Sequence, residues 1–122
     1  QVKMQKRNPK QWVGLLANSY KNAKADLTTT NATTLYTCPA ATTAIVKSII
    51  VSEDSGNADT ITLTITDSSS AVFSLYKVKA VSANTTIELL TAPLVVEENE
   101  ILKATAATAN RLHVVASLLE VS

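Results

Sequence analysis

The stretch DTITLTITD, residues 59–67, constrains the fold of this chain more than any other. Ile61, Leu63 and Ile65 alternate with Thr60, Thr62, Thr64 and Thr66. Successive side chains of a strand point to opposite faces, so this period of two demands a strand buried on one side only. Threonine suits the other side, because its branched side chain fits a pleated, half-buried surface. AVFSLYKVKAV, TTIELL, PLVVEEN, EILKATAAT and RLHVVASLLEV are further apolar runs of strand length. Polar turn clusters separate them, among them EDSGNAD, DSSS, SAN, EENE and TAN. Strands recurring every 8–12 residues, with connections too short for crossover helices, predict an antiparallel all-β sandwich. The expected form is jelly-roll-like, with seven or eight strands. At 122 residues the chain fits one domain, whose core needs no disulfide or metal.

Two runs need separate treatment. TAIVKSIIV is apolar at Val46 and Ile50 on one face and at Ile45, Ile49 and Val51 on the other. Apolarity on both faces predicts a central strand, or one whose outer face meets the arm or another subunit. ILKATAAT is helix-compatible through its alanines. However, Ile101, Lys103 and Thr105 alternate with Leu102, Ala104 and Ala106. It is therefore assigned as a strand with a small-residue face.

The first 26 residues differ from the rest and form a basic N-terminal arm, with the β-sandwich domain spanning 27–122. Residues 1–24 carry Lys3, Lys6, Arg7, Lys10, Lys21 and Lys24 and no acidic residue. Residues 25–122 carry five positive residues against ten acidic ones, a net charge of −5. A basic arm on an acidic body suggests docking on an acidic surface. After the Asn8-Pro9 turn, KQWVGLLANSYKNAKA fits either a short helix, weakened by Gly14, or an extended segment. Lys3, Lys6, Arg7, Lys10, Trp12, Leu15, Leu16 and Tyr20 are the candidate partner-binding residues. With only Trp12 and Tyr20 among the basic residues, nucleic acid is not the expected partner.

Catalytic signals are poor. His113 is the only histidine, and alternation places it opposite Leu112, Val114, Ala116 and Leu118, on a surface or interface, with no nucleophile motif nearby. The acidic residues fall in two turn clusters: Glu53, Asp54 and Asp59, then Glu97, Glu98 and Glu100. Neither matches a calcium loop, so solvated turns are expected. With two glycines there is no phosphate cradle. Cys38 is the only cysteine, which excludes an internal disulfide and a Cys-based zinc site and suits a reducing cytoplasm. No apolar run approaches the roughly 18 residues of a membrane span, and no signal-peptide core is evident near the start. The chain thus reads as soluble, with no membrane partner, no cofactor, no metal and no enzymatic activity.

A resemblance adds to this reading. Tyr36-Thr37-Cys38-Pro39-Ala40, followed by Thr43-Ala44-Ile45-Val46-Lys47-Ser48-Ile49-Ile50-Val51, resembles a small β-sandwich module of tailed-bacteriophage structural proteins. The match extends through SEDSGNADTITLTITDSS and PLVVEENEILKATAATANRLHVVASLLEV, covering roughly residues 33–122 and not the arm. Cys38 replaces an expected β-branched residue, and Ala41-Thr42 replaces a glycine-containing turn. The resemblance implies a virion protein made in the host cytoplasm. It would be a capsid decoration (cement) protein on the major capsid protein, or an accessory of the neck, tail or fibres. A symmetric homo-oligomer, a trimer among the options, is the expected state. A receptor- or glycan-binding module on a fibre is the alternative from a different class, and a small enzyme using His113 and the acidic turns is the third.

Overall fold

A computed structural model describes residues 17–122. Their regular structure is all strand: β1 (Asn18–Asp26), β2 (Thr33–Thr37), β3 (Thr43–Glu53), β4 (Asp59–Thr66), β5 (Val72–Val81), β6 (Thr86–Glu88), β7 (Leu94–Val96), β8 (Ile101–Ala106) and β9 (Leu112–Val121). All pairings are antiparallel. One sheet runs β1-β9-β3-β6, with β7 also on β3, and the other runs β2-β8-β4-β5.

The count of nine exceeds the expected seven or eight for two reasons. Part of the segment assigned to the arm, 18–26, is the edge strand β1, paired along its length with β9. Of the helical and extended alternatives for that segment, the extended one holds from Asn18 onward. The edge of β9 supplies the hydrogen bonds that a helix would have made internally. The second reason is that β6 and β7 are two halves of one strand beside β3, broken between Glu88 and Leu94. Pro93 has no N–H for the ladder, so the pairing stops there. Counted as one, they leave eight strands in two four-stranded sheets. Only β4 and β5 are sequential neighbours in one sheet; every other connection crosses between sheets. That order is the double Greek key of a jelly roll.

The alternation in β4 folds as its pattern demands up to Thr64, beyond which Ile65 is only partly buried and Thr66 is buried. Ile61 and Leu63 are buried, and Thr60, Thr62 and Thr64 lie on the outer side. ILKATA is strand β8, with Leu102, Ala104 and Ala106 buried. Its small side chains, together with Ala25, Ala44 and Ala116, let the two sheets approach closely around Leu27, Ile49, Ile61, Leu63, Leu89, Leu102 and Leu112.

The two-sided reading of β3 is corrected. The strand is central, but its buried residues are Ala44 and Val46, then Ile49 and Val51. Opposite β9, Val46 pairs with Leu118 and Ser48 with Ser117, leaving Lys47 as an extra residue. This β-bulge shifts the phase by one, so both halves of β3 bury the same face. A second exception to simple alternation is β5. Its pairing with β4 slips twice, and Val78 stands at φ +54°, its N–H donating to the Thr62 hydroxyl at 3.0 Å. A branched residue in the left-handed region is strained. The Ala41-Thr42 departure has a counterpart in geometry, since Ala41 also has a positive φ, 57°, where glycine would sit without strain.

Candidate interaction surface

Of the candidate partner-binding residues, Tyr20 alone is among those described; Lys3, Lys6, Arg7, Lys10, Trp12, Leu15 and Leu16 lie outside them. Tyr20 sits on the outer face of β1 and is 76% exposed. The Lys47 ammonium, displaced by the bulge, lies 5.6 Å from its ring centroid. Tyr20 is also the first member of an apolar row. Register places it beside Leu119, Leu119 beside Ile45, and Ile45 beside Val95. Residues directly opposite on paired strands share a face. The four side chains therefore cross β1, β9, β3 and β7 in line on the solvent side. Val95 is 52% exposed, and Ile45 and Leu119 are half-buried. The row spans three strand spacings, about 14 Å.

Its borders are mostly polar, with half-buried Val121 between Asn18 and Thr43 on one side. One step inward, Asn22, Ser117 and Ser48 form the next row. At the β7 end the chain turns through Glu97 and Glu98, both exposed. The outer face of the other sheet is different, with Thr34, Lys103 and Thr64 in line across it and Thr62 beside Thr105. Exposed Val72, Phe73 and Val78 lie along the β5 edge of that second sheet. Tyr20 and Phe73 are thus on different sheets and make no shared stacking platform of the kind a glycan site uses.

The acidic turns are not all solvated, which corrects the sequence expectation. Glu53 is 2% exposed. Its carboxylate accepts from the Ser55 hydroxyl, Ser55 N–H at 2.8 Å, Gly56 N–H at 3.2 Å and Asn84 N–H at 2.9 Å. Burial alone would raise its pKa, but these donors outweigh burial and hold it at about 2. Asp59, also buried, accepts from Thr108 N–H at 3.1 Å. Both carboxylates fasten loops. Asp54, Glu97 and Glu98 are exposed as expected.

His113 lies on the outer side of β9, as its alternation requires. Its neighbours there are two carboxylates. Its Nε2 is 3.3 Å from Asp26 and its Nδ1 is 3.5 Å from Asp54. Because the two carboxylates address opposite ring nitrogens, they do not converge on one point where a metal or a reacting atom would sit. Among the described residues, no three His, Cys, Asp or Glu side chains are grouped to hold a metal ion.

Two further carboxylates organise the sheet that carries the apolar row. Glu120 points inward at the end of β9, accepting from Tyr36 Oη at 2.5 Å and from Lys21 Nζ at 2.9 Å. It links β1 and β9 to β2 of the opposite sheet. The tyrosine hydroxyl first, and the lysine second, hold the Glu120 pKa below the ordinary range. Glu88 bridges the break between β6 and β7. It accepts from the Ser48 hydroxyl, Ile49 N–H at 2.8 Å and Leu90 N–H at 3.1 Å. Burial would raise its pKa, but these donors hold it low. Cys38 is fully buried, its thiol donating to the Thr42 carbonyl at 3.3 Å.

Sequence reasoning found Tyr20 but not its row. The four members lie on four strands, so only register brings them together. The one available signal is the apolar excess in TAIVKSIIV, of which Ile45 and Ile50 are left on the outer face.

No protein-family model and no curated protein sequence matches this chain. Among solved structures, it is similar to a chain of the disulfide-linked pili that form Bacillus endospore appendages. That likeness has a TM-score of 0.54 at 9% identity and covers 88% of each chain. A chain of the cyanophage Pam1 capsid asymmetric unit gives 0.38 at 22% identity, covering 87% of this chain and 84% of that one. A chain of infectious bursal disease virus, Gt strain, gives 0.39 at 9% identity, covering 88% of this chain and 31% of that one. At these identities, what this chain and the pilus protein share is the fold.

Proposed function

We propose that this chain is a non-enzymatic structural protein of a phage virion, a capsid decoration protein that docks through its basic arm and one face of its sandwich. The observation that carries the reading is the apolar row Tyr20–Leu119–Ile45–Val95. It crosses one outer face, while the face of the opposite sheet is threonine-rich. An apolar line beside an open hollow between Tyr20, Asn22, Lys47 and Ser117 suits a protein partner better than a small molecule, which prefers an enclosed site. The phage-module resemblance of residues 33–122 supplies the virion context, and the four positive charges of residues 1–16 supply the arm's attraction to acidic surfaces. The partner is the major capsid protein, with neck, tail or fibre proteins as the second choice. Because its only cysteine is buried, this chain would assemble without the disulfide links described for the pili.

The test adds purified protein to virions of the encoding phage stripped of it. Truncation belongs at Ala17, because removing 18–24 would delete most of β1. Full-length protein should rebind at regular capsid sites in electron micrographs, and the chain lacking residues 1–16 should not. Full occupancy by the truncated chain would refute docking through the arm. Density confined to the neck or tail would select the second choice.

A further inference from the structure

We infer that the row Tyr20–Leu119–Ile45–Val95 receives residues 12–16 of a second copy of this chain, with the basic residues ahead of them lying against Glu97 and Glu98. The inference rests on the structural reading above and gives the row a second copy as its first occupant, so that the capsid is met by the assembled copies rather than by a bare row. Three observations carry it.

The first is order. Read backward from Ala17, the arm presents Leu16, Leu15, Val13 and Trp12, then Lys10, Arg7, Lys6 and Lys3. The face presents the same sequence of chemistry: four apolar side chains across the sheet, then Glu97 and Glu98 where β7 ends. Five extended residues span about 16 Å, enough for the row's width of about 14 Å. Since alternate side chains of an extended chain face opposite ways, Leu16 and Trp12 meet the row from the same side.

The second is direction. Ala17 O accepts the Ser122 N–H at 3.1 Å, so the chain there still runs beside the end of β9, away from the row. Tyr20 is only three residues further on. For the arm to cover its own row, it would have to reverse at Leu15 and Leu16, the residues the row is matched to. Residue 16 adjoins Ala17, so a neighbour that receives residues 12–16 must abut this end of the sheet. A contact of this head-to-tail kind closes into a ring if its rotation closes and otherwise propagates as a filament.

The third is charge. The arm segment 1–16 bears four positive residues and no acidic ones, whereas residues 25–122 are net −5. Two copies attract through unlike parts, and salt weakens that attraction.

The test uses the single tryptophan, Trp12, as its reporter. In full-length protein, Trp12 emission should shift to shorter wavelength as concentration rises, in step with oligomer formation measured by light scattering. The variant Val95→Asp keeps the arm and spoils the row; the chain lacking residues 1–16 keeps the row and has no arm. Each alone should be monomeric and folded by circular dichroism. Mixed, they should form a complex, with Trp12 shifted, because one supplies the arm and the other the row. Glu97→Lys with Glu98→Lys should weaken association several-fold. A concentration-independent shift in a monomer would show the arm on its own row and overturn the proposal, as would oligomers of the truncated chain or no complex in the mixture. If Val95→Asp proves unfolded, Tyr20→Ser takes its place in the mixture. Because no virion is present, failure here leaves capsid docking standing, and failure of capsid docking leaves this result standing.

Discussion

Glu53 and Glu120 bury carboxylates at seams of the sandwich, and each takes at least one donor from a segment distant in sequence. Asn84 reaches Glu53 from the far side of β4 and β5, and Tyr36 reaches Glu120 from the opposite sheet. A turn reading EDSG therefore looks solvated, since nothing local reveals the Asn84 N–H. The chemistry sets a pH dependence. A carboxylate whose folded pKa is about 2, against an ordinary 4.5, contributes stability fully present above 4.5 and lost as pH falls toward 2. Glu53→Gln should therefore lower the urea midpoint most at pH 7, and its gap from wild type should narrow by pH 3. Equal gaps at both pH values would show that the ionised form is not what the loop requires. At the other seam, Tyr36→Phe removes a hydrogen bond to an inward-facing charge and should cost about 2 kcal/mol. Lys21→Met should cost less than about 1 kcal/mol, because its side chain is 50% exposed and the pair is partly screened. Urea titrations at pH 7 decide the order.

Among the elements, β4 and β3 mark the limits of sequence reading. DTITLTITD was legible because its period is unbroken and its register never slips against β8. TAIVKSIIV was legible as a central strand but not in its faces. A bulge adds one residue without changing composition, and its position depends on the partner strand β9. Deleting Lys47 should put Ala44 and Val46 on the outer face and bring Thr43 and Ile45 inward, removing the cooperative unfolding transition. Lys47→Ala keeps the residue count and should lose only the contact with Tyr20, about 0.5–1 kcal/mol. Thermal unfolding of both variants checks the pair; a stable, cooperative deletion would mean that the bulge can migrate. The β5 edge shows a protective use of irregularity. Its twice-slipped pairing, strained Val78 and flanking Lys77 and Lys79 make a poor template for another strand, despite exposed Val72 and Phe73.

For the whole molecule, the eight-stranded order was foreseeable only as a class, because a jelly roll joins strands remote in sequence. Asn18 pairs with Val121, and β2 pairs with β8. Such pairings close long loops before they are rewarded, so folding on the millisecond-to-second scale is expected. The candidate site follows the same logic. Tyr20 was legible from its basic, apolar surroundings, whereas Leu119, Ile45 and Val95 became neighbours only through the roll. The same closure isolates Cys38. Its N–H donates to Glu100 O at 2.9 Å and its carbonyl accepts from Asn99 N–H at 2.9 Å, so the loop around it is pinned to the start of β8. Burial pushes the thiol's pKa up, which leaves little thiolate to react. A thiol reagent should then modify the native protein only as fast as the roll opens, and Ile61→Val should hasten the reaction in proportion to its destabilisation. Labelling faster than unfolding would locate a loose corner at residues 38–42. The chain thus carries its own clock, one sulfur whose colour change in a cuvette would time how long the sandwich stays shut.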